Sequence, residues 1–327
     1  MNKKKLLVLI VTLVIFGFIF YKIDFVKVVE TFKNFNSKYL IHIVILYITT
    51  LVLRGFRWKY LLNNDNKYSV LDLAKVFTVG SMLNSFVPAR AGDLYRAYYL
   101  GSVAQENKVK IFGSVILERI FDGVSVFVIL MLTVANTFAS GLILKLTYAT
   151  GVLFLGSLIL FYLLVKFHDN EPFINRIEDL IHRLPQKIEA FAEKLFKLLT
   201  SFVDGFRVLE NSTNAIVALA FSFGIWLIEA FIAYMLIISF GFKIDFYSGL
   251  YVMALTSFST VIPSASVFLG PYQIAYILAL GIFGIGKSQA IAVSAVHQGI
   301  FMIILAVIGI FYLIKFNVKL SDVKEFK

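Results

Sequence analysis

The chain has 327 residues, of which 59% are apolar and 16% charged, with 34 phenylalanines. Ordinary soluble domains carry about 45–50% apolar residues, so this composition excludes a soluble globular protein and points to a polytopic membrane protein. The net charge of +11 is carried by lysines and arginines between apolar runs, as expected of loops facing an anionic leaflet, and does not call for nucleic acid; with no cysteine, disulfides, thiolate metal sites and cysteine nucleophiles are excluded.

In chain order, a basic start is followed by apolar residues 6–21 without a small-residue cleavage site, which reads as a retained first span. A second span covers about 39–53 and is closed by Arg54, Arg57, Trp58 and Lys59, which read as an interfacial belt. Within the apolar stretch 74–101 lies NSFVPARAGDLYRAYYLG, starting at Asn84. Pro88 forbids a continuous helix there, Gly92 permits close backbone approach, and Asp93 and Arg96 share a face at i,i+3 spacing. Non-helical backbone at membrane depth is tolerated only inside protein or along a wet cavity, so the stretch reads as a broken or re-entrant helix that marks a site. The competing reading makes Arg90 and Arg96 anchors at a membrane edge.

Residues 111–135 form a third span with Glu118, Arg119 and Asp122 inside it. Glu118 and Asp122, four apart, share a face, and Asp122 falls about 18 Å into a hydrocarbon layer of roughly 30 Å. Shifting the span to 124–144 would make all three interfacial. Residues 142–165 are a fourth span, and the polar segment 166–214 carries Ile188, Phe191, Leu195, Leu198, Phe202 and Phe206 at helical spacing, which predicts an amphipathic helix on the inner leaflet or the bundle. Residues 215–240 are a fifth span with Glu229 near its centre. A second broken pair, 249–285, is interrupted by Pro263, Gly270 and Pro271, and 290–314 close the bundle with His297 and Gln298 inside.

The expected fold is therefore all-α: a polytopic helical membrane protein with six full spans plus two broken or re-entrant helical pairs. Lysine and arginine counts place both termini and segment 166–214 on the cytoplasmic side of the cell membrane, with Lys243 and Lys287 outside. Gly92, Ala97 and Tyr98 recur as Gly270, Ala275 and Tyr276 at a constant offset of 178 residues, and Arg54 late in the second span falls opposite Glu229 in the fifth. Under the charge count the halves cross in opposite senses, giving inverted repeats, 1–138 and 139–327, within one integral membrane domain. Such halves put a substrate site near the midplane between the broken helices.

The residues Asn84, Pro88, Arg90, Gly92, Asp93 and Arg96, then Glu118-Arg119 with Asp122, then 263–273, resemble the lysylphosphatidylglycerol synthase transmembrane (flippase-like) family and its UPF0104-type members. The resemblance implies an integral membrane protein that moves a lipid with a polar head between leaflets. It does not carry over lysyl transfer, because the soluble aminoacyltransferase domain of two-part members is not expected after the last span. Two departures stand out: Ser266-Val267 and Gln273 occupy positions where relatives carry Gly-Gly and Glu.

A lipid phosphate crossing the bilayer needs donors that replace water, and arginine offers a planar fork that stays charged. Arg90, Arg96 and Arg119 are the candidates, helped by the N-terminus of a half-helix restarting after Pro88. Glu229 would compensate charge or couple a proton, or else pair with Arg54 or Arg119; His297 would carry a proton or serve structurally. With Asn84, Pro88, Gly92, Asp93, Glu118, Asp122, Pro263, Gly270 and Gln273 these make up the expected substrate site. No catalytic residue, cofactor or metal is assigned, and the expected partners are the bilayer and a lipid with a phosphate-containing head. The Gly281 to Ser288 match to a phosphate-binding loop is declined, because apolar spans and no strand surround it. Two rivals remain: a membrane-embedded glycosyl- or aminoacyl-transferase component with Asp93, Glu118 or Asp122 as base, and an accessory subunit of a lipid synthase.

Overall fold

The structure is a computed structural model that describes residues 24–63, 68–87, 90–134, 141–259 and 270–315, and every regular element among them is helical. The expected first span, both termini, Pro88, Pro263 and Ser266-Val267 lie outside the described residues. The helices are α1 (Phe25–Lys33), α2 (Lys38–Leu61), α3 (Val70–Phe86), α4 (Ala91–Ala104), α5 (Lys108–Val134) and α6 (Gly141–His168). They continue with α7 (Glu171–His182), α8 (Gln186–Asp204), α9 (Ser212–Ser239), α10 (Phe246–Ser259), α11 (Pro271–Ile282) and α12 (Lys287–Lys315).

Among the described residues four segments are long and apolar enough to cross a membrane: α2, Thr147–His168 of α6, α9 and α12. At 1.5 Å per residue the 27 residues of α5 also exceed a hydrocarbon layer of about 30 Å, with Glu118, Arg119 and Asp122 inside the helix and not at its edge. The chain is thus an all-α, multi-pass membrane protein. On α6, Val152, Leu153 and Ile159 face outward, which is the burial pattern of a helix solvated by acyl chains.

The interfacial belt expected after residue 53 is not there. α2 continues to Leu61, and Arg57 and Trp58 are both fully buried. A charge ends an apolar run only if it must reach water, and here internal partners satisfy it. The helix α1, not foreseen in the sequence, is capped by Asp24, whose carboxylate accepts from Lys27 N–H, and whose own N–H donates to Ser288 Oγ at the start of α12, 3.2 Å away.

Contact pairs fix the directions. Arg54 meets Glu229, Arg57 meets Ser222 and Asn63 meets Asn214, so α2 and α9 run antiparallel. Asn84 meets Gly92 and Gly80 meets Arg96, so α3 and α4 form an antiparallel helical hairpin. Its turn leaves helix geometry at Val87, which is extended, and at Arg90, which is left-handed (φ 52°). A Cβ on Gly92 would lie 1.7 Å from the Gly80 carbonyl oxygen, so only glycine lets these backbones approach so closely.

The polar segment holds two amphipathic helices, α7 and α8, separated by Pro185 at the start of α8. α8 follows the expected apolar spacing as far as Phe202. Phe206 lies past its end, buried and stacked on Phe161 of α6 with ring centroids 4.0 Å apart. The outer faces of both helices leave Phe173, Leu180, Ile188 and Phe191 exposed.

Candidate functional site

The interior of the bundle holds a chain of alternating charges. Glu118 of α5, fully buried, accepts from Arg96 Nη1 at 3.1 Å and Nη2 at 2.7 Å, one per carboxylate oxygen, and contacts Arg57 Nη2 at 3.1 Å. Arg57 reaches on to Asp122, and donates to Ser222 Oγ at 3.0 Å. Asp122 also accepts from Trp226 Nε1 at 2.8 Å. The Arg96 guanidinium packs against the rings of Trp58 and Phe77, 4.2 and 4.6 Å from their centroids. Buried ions are tolerated when each finds a partner of opposite sign, and every member of this row does, although Arg57 Nε and Arg96 Nε are buried with no hydrogen-bond partner among the described residues.

A second pair sits at the α3–α4 turn. Arg119 Nη2 donates to Asp93 Oδ1 at 2.8 Å, and Asn84 Nδ2 donates to the same oxygen at 2.9 Å. Asn84 Oδ1 in turn accepts from Gly92 N–H at 2.8 Å, and Asp93 N–H donates to the Arg90 carbonyl. These bonds correct one expectation, because the Gly92 and Asp93 N–H groups at the start of α4 are satisfied within the protein and do not face a ligand. A third pair, Arg54 Nη2 to Glu229 Oε1 at 3.2 Å, joins α2 to α9.

At the start of α11 the side-chain contacts are neutral. Gln273 Oε1 accepts from Gly270 N–H at 2.7 Å, while Gln273 Nε2 donates to Gln298 Oε1 at 2.8 Å. The Tyr276 hydroxyl is hydrogen-bonded to His297 Nδ1. Both bonds tie α11 to α12.

Between these groups lies a cavity of about 430 Å³, within the range of about 300–1,000 Å³ typical of small-ligand sites. Of the expected site residues, Asn84, Arg90, Arg119, Asp122, Glu229 and His297 line it. Gly92, Asp93, Arg96, Glu118, Gly270 and Gln273 stand behind the wall and brace it, and Pro88 and Pro263 lie outside the described residues. Arg96, expected to meet phosphate, instead has two of its nitrogens on Glu118 and its plane against aromatic rings. Arg119 keeps a buried Nε that has no hydrogen-bond partner among the described residues.

The sequence reading missed Arg54 as a wall residue, Arg57 as the centre of the charge row, and the lining aromatics Tyr47, Trp226 and Tyr272. Arg54 and Arg57 carried one usable signal, since both stand on a helix that must face Glu229. The acids proposed as a transferase base, Asp93, Glu118 and Asp122, are each held by a guanidinium.

Residues 5–309 match the family described as lysylphosphatidylglycerol synthase TM region. The chain belongs to this family. The match is to the membrane region and assigns no aminoacyltransferase chemistry. The chain is similar to the UPF0104 membrane protein MJ1078 of Methanocaldococcus jannaschii, 28% identical over 243 residues, covering 72% of this chain and 95% of that protein. It is also similar to the UPF0104 membrane protein MJ1595 of the same organism, 22% identical over 300 residues and 86% of each chain. No solved structure matches it.

Proposed function

We propose that this protein carries the phosphate head of an anionic membrane lipid between leaflets, with the central cavity as its site. The observation that carries the reading is a small-ligand cavity between helices of a membrane bundle, whose wall includes Arg54, Arg90 and Arg119. A phosphate leaving water needs charge-assisted donors, and a guanidinium supplies two in a fixed fork. Five arginines of the cluster (54, 57, 90, 96, 119) face four carboxylates (93, 118, 122, 229), so with all groups ionised the formal sum is +1. One phosphodiester would neutralise it.

The same contacts support two inverted halves. Both ends of the α3–α4 hairpin lie at the end of the bundle where α5 meets α8 through Asn107 and Ser201. Lys75 of α3 reaches Tyr312 of α12 at that end. The α10–α11 pair opens to the opposite end, where Tyr247 bonds the Thr133 carbonyl of α5 and Tyr251 packs on Phe283. We assign the α7–α8 end to the cytoplasm on its charge and read the whole as six full spans plus two re-entrant pairs, arranged as inverted repeats 1–138 and 139–327, in the cell membrane.

The test is movement of a fluorescent phosphatidylglycerol analogue in liposomes carrying purified protein. Arg119→Lys keeps charge but loses the fork; losing a charge-assisted hydrogen bond costs about 1.5–3 kcal/mol, so the expected slowing is roughly 10- to 150-fold. Wild-type rates in both Arg119→Lys and Arg90→Lys would remove the phosphate from this cavity.

A further inference from the structure

The α7–α8 hairpin carries a cluster of metal-ligating side chains apart from the lipid cavity, none of whose lining residues belongs to either helix among the described residues. His182 closes α7, and Glu189 and Glu193 stand one turn apart in the first half of α8, after the turn at Pro185. His182 Nδ1 is 2.9 Å from Glu189 Oε1 and 3.6 Å from Glu193 Oε1, and the ligand atoms of the three residues all lie within 4.8 Å of one another. We propose that these three side chains bind a first-row divalent cation, with zinc as the fitting ion, and that the ion staples α7 to α8. The site goes beyond the lipid reading and does not depend on it.

The spacing is that of a coordination shell. Zinc holds imidazole nitrogen and carboxylate oxygen at about 2.0–2.2 Å, so its ligands stand about 3.3–3.6 Å apart on a tetrahedron and about 2.8–3.1 Å apart on an octahedron. Both distances from the imidazole fall in these ranges. The two carboxylates, on long and partly solvated side chains, close to the same spacing by rotamer changes. Charge points the same way. Two glutamates at i,i+4 on one helix repel, and among the described residues neither forms an ion pair with a lysine or an arginine. Glu178, four residues before His182, brings a third acid close to the same imidazole. The nitrogen selects the ion, because calcium and magnesium take oxygen ligands, whereas imidazole with carboxylate suits zinc and its neighbours. Three protein ligands leave a position for water. The proton in the hydrogen bond between His182 and Glu189 is the one a cation displaces, since these ligands coordinate without it. Helix α7 gains most from the staple, because none of its 12 residues is buried and a helix of that length is marginal alone. Helix α8 is already seated on α5, where Asn107 Nδ2 donates to Ser201 Oγ at 2.9 Å, so the ion ties α7 to the bundle.

The experiment titrates zinc chloride into the full-length protein in detergent, stripped with EDTA, dialysed and free of any polyhistidine tag, and reads binding by calorimetry. One zinc per chain is expected, with a Kd in the micromolar range, and an excess of calcium or magnesium chloride should not displace it. Losing a ligand should weaken the site by about tenfold or more, so His182→Ala and Glu193→Gln are each expected to do so. His42→Ala, at an exposed histidine of α2, should leave binding unchanged. No binding at about 100 μM zinc overturns the proposal, as does a Kd unmoved by both His182→Ala and Glu193→Gln. Displacement by calcium or magnesium overturns it too, since the imidazole would then not be a ligand. The stoichiometry and the calcium and magnesium arms use unmutated protein, so a misfolded variant does not shelter the site. Lipid movement plays no part in the readout, and failure here leaves the phosphate reading standing.

Discussion

The helices α4 and α11 are fastened to their neighbours by different chemistry. Arg96 fixes α4 to α5 through a bidentate ion pair with Glu118, itself shared with Arg57. Gln273 and Tyr276 fix α11 to α12 through neutral hydrogen bonds to Gln298 and His297. Ions taken out of water gain stability only when every partner is in place, whereas a neutral pair loses much less when it is broken. The ionic side gives the cavity its positive sign, and the neutral side leaves hydroxyl and amide groups beside it.

The comparison breaks most sharply at Glu118. Glu118→Leu removes the acid that two buried guanidinium groups share, and stranding a buried charge typically costs about 3–5 kcal/mol. The check is thermal unfolding of purified protein in detergent, where a large drop in the midpoint is expected. If Glu118→Leu proved no worse than a break on the neutral side, the ionic clamp would be bridging to solvent and not holding α4.

That neutral break is the second and smaller effect. Gln273→Leu leaves the buried Gly270 N–H without its Gln273 acceptor and removes one donor from Gln298 Oε1, at about 1–3 kcal/mol for an unsatisfied buried group. Gln273→Glu sharpens the point. A carboxylate there still accepts from Gly270 N–H, and the Gln298 amide can turn over to donate in place of accepting, so this variant should unfold at a midpoint above that of Gln273→Leu. The reverse order would mean that the site does not tolerate a carboxylate at all.

Much of this site could be read from the residues alone. Three charges inside α5, an acid in the middle of an otherwise apolar α9, and a glycine after a proline are each costly in a membrane, so their presence signals partners before any partner is known. The same reasoning offered Arg54 or Arg119 as the partner of Glu229, and the structure pairs it with Arg54. What stayed hidden depends on partners distant in sequence. Arg57 looks like the end of a span until its acid, 65 positions away, is placed beside it. Arg96 shows the converse, since sequence alone gives the same arginine whether its fork closes on a phosphate or on Glu118. Helix α1 was missed because nine residues are too few for an apolar run to stand out.

The smallest effect lies outside the membrane, where charges of the same kind are open to water. At the end of α7, His182 Nδ1 is 2.9 Å from Glu189 Oε1 and 3.6 Å from Glu193 Oε1, both on α8. The hydrogen bond to Glu189, helped by the negative charges of Glu189, Glu193 and Glu178, raises the imidazole above its usual 6.5. Because the folded value is the higher one, whatever this pair adds to the α7–α8 contact is fully present below pH 6.5 and is lost as pH rises through the raised folded value. An exposed pair is screened and contributes little, so the global unfolding midpoint should not follow this titration. The imidazole itself should. An NMR titration of His182 is expected to show a midpoint above 6.5 that moves back toward it in Glu189→Gln, and equal midpoints in the two proteins would mean that the hydrogen bond is not made in solution. Set beside Glu118, the pair separates the attraction between opposite charges, present in both places, from the cost of withdrawing them from water, which only the buried site bears.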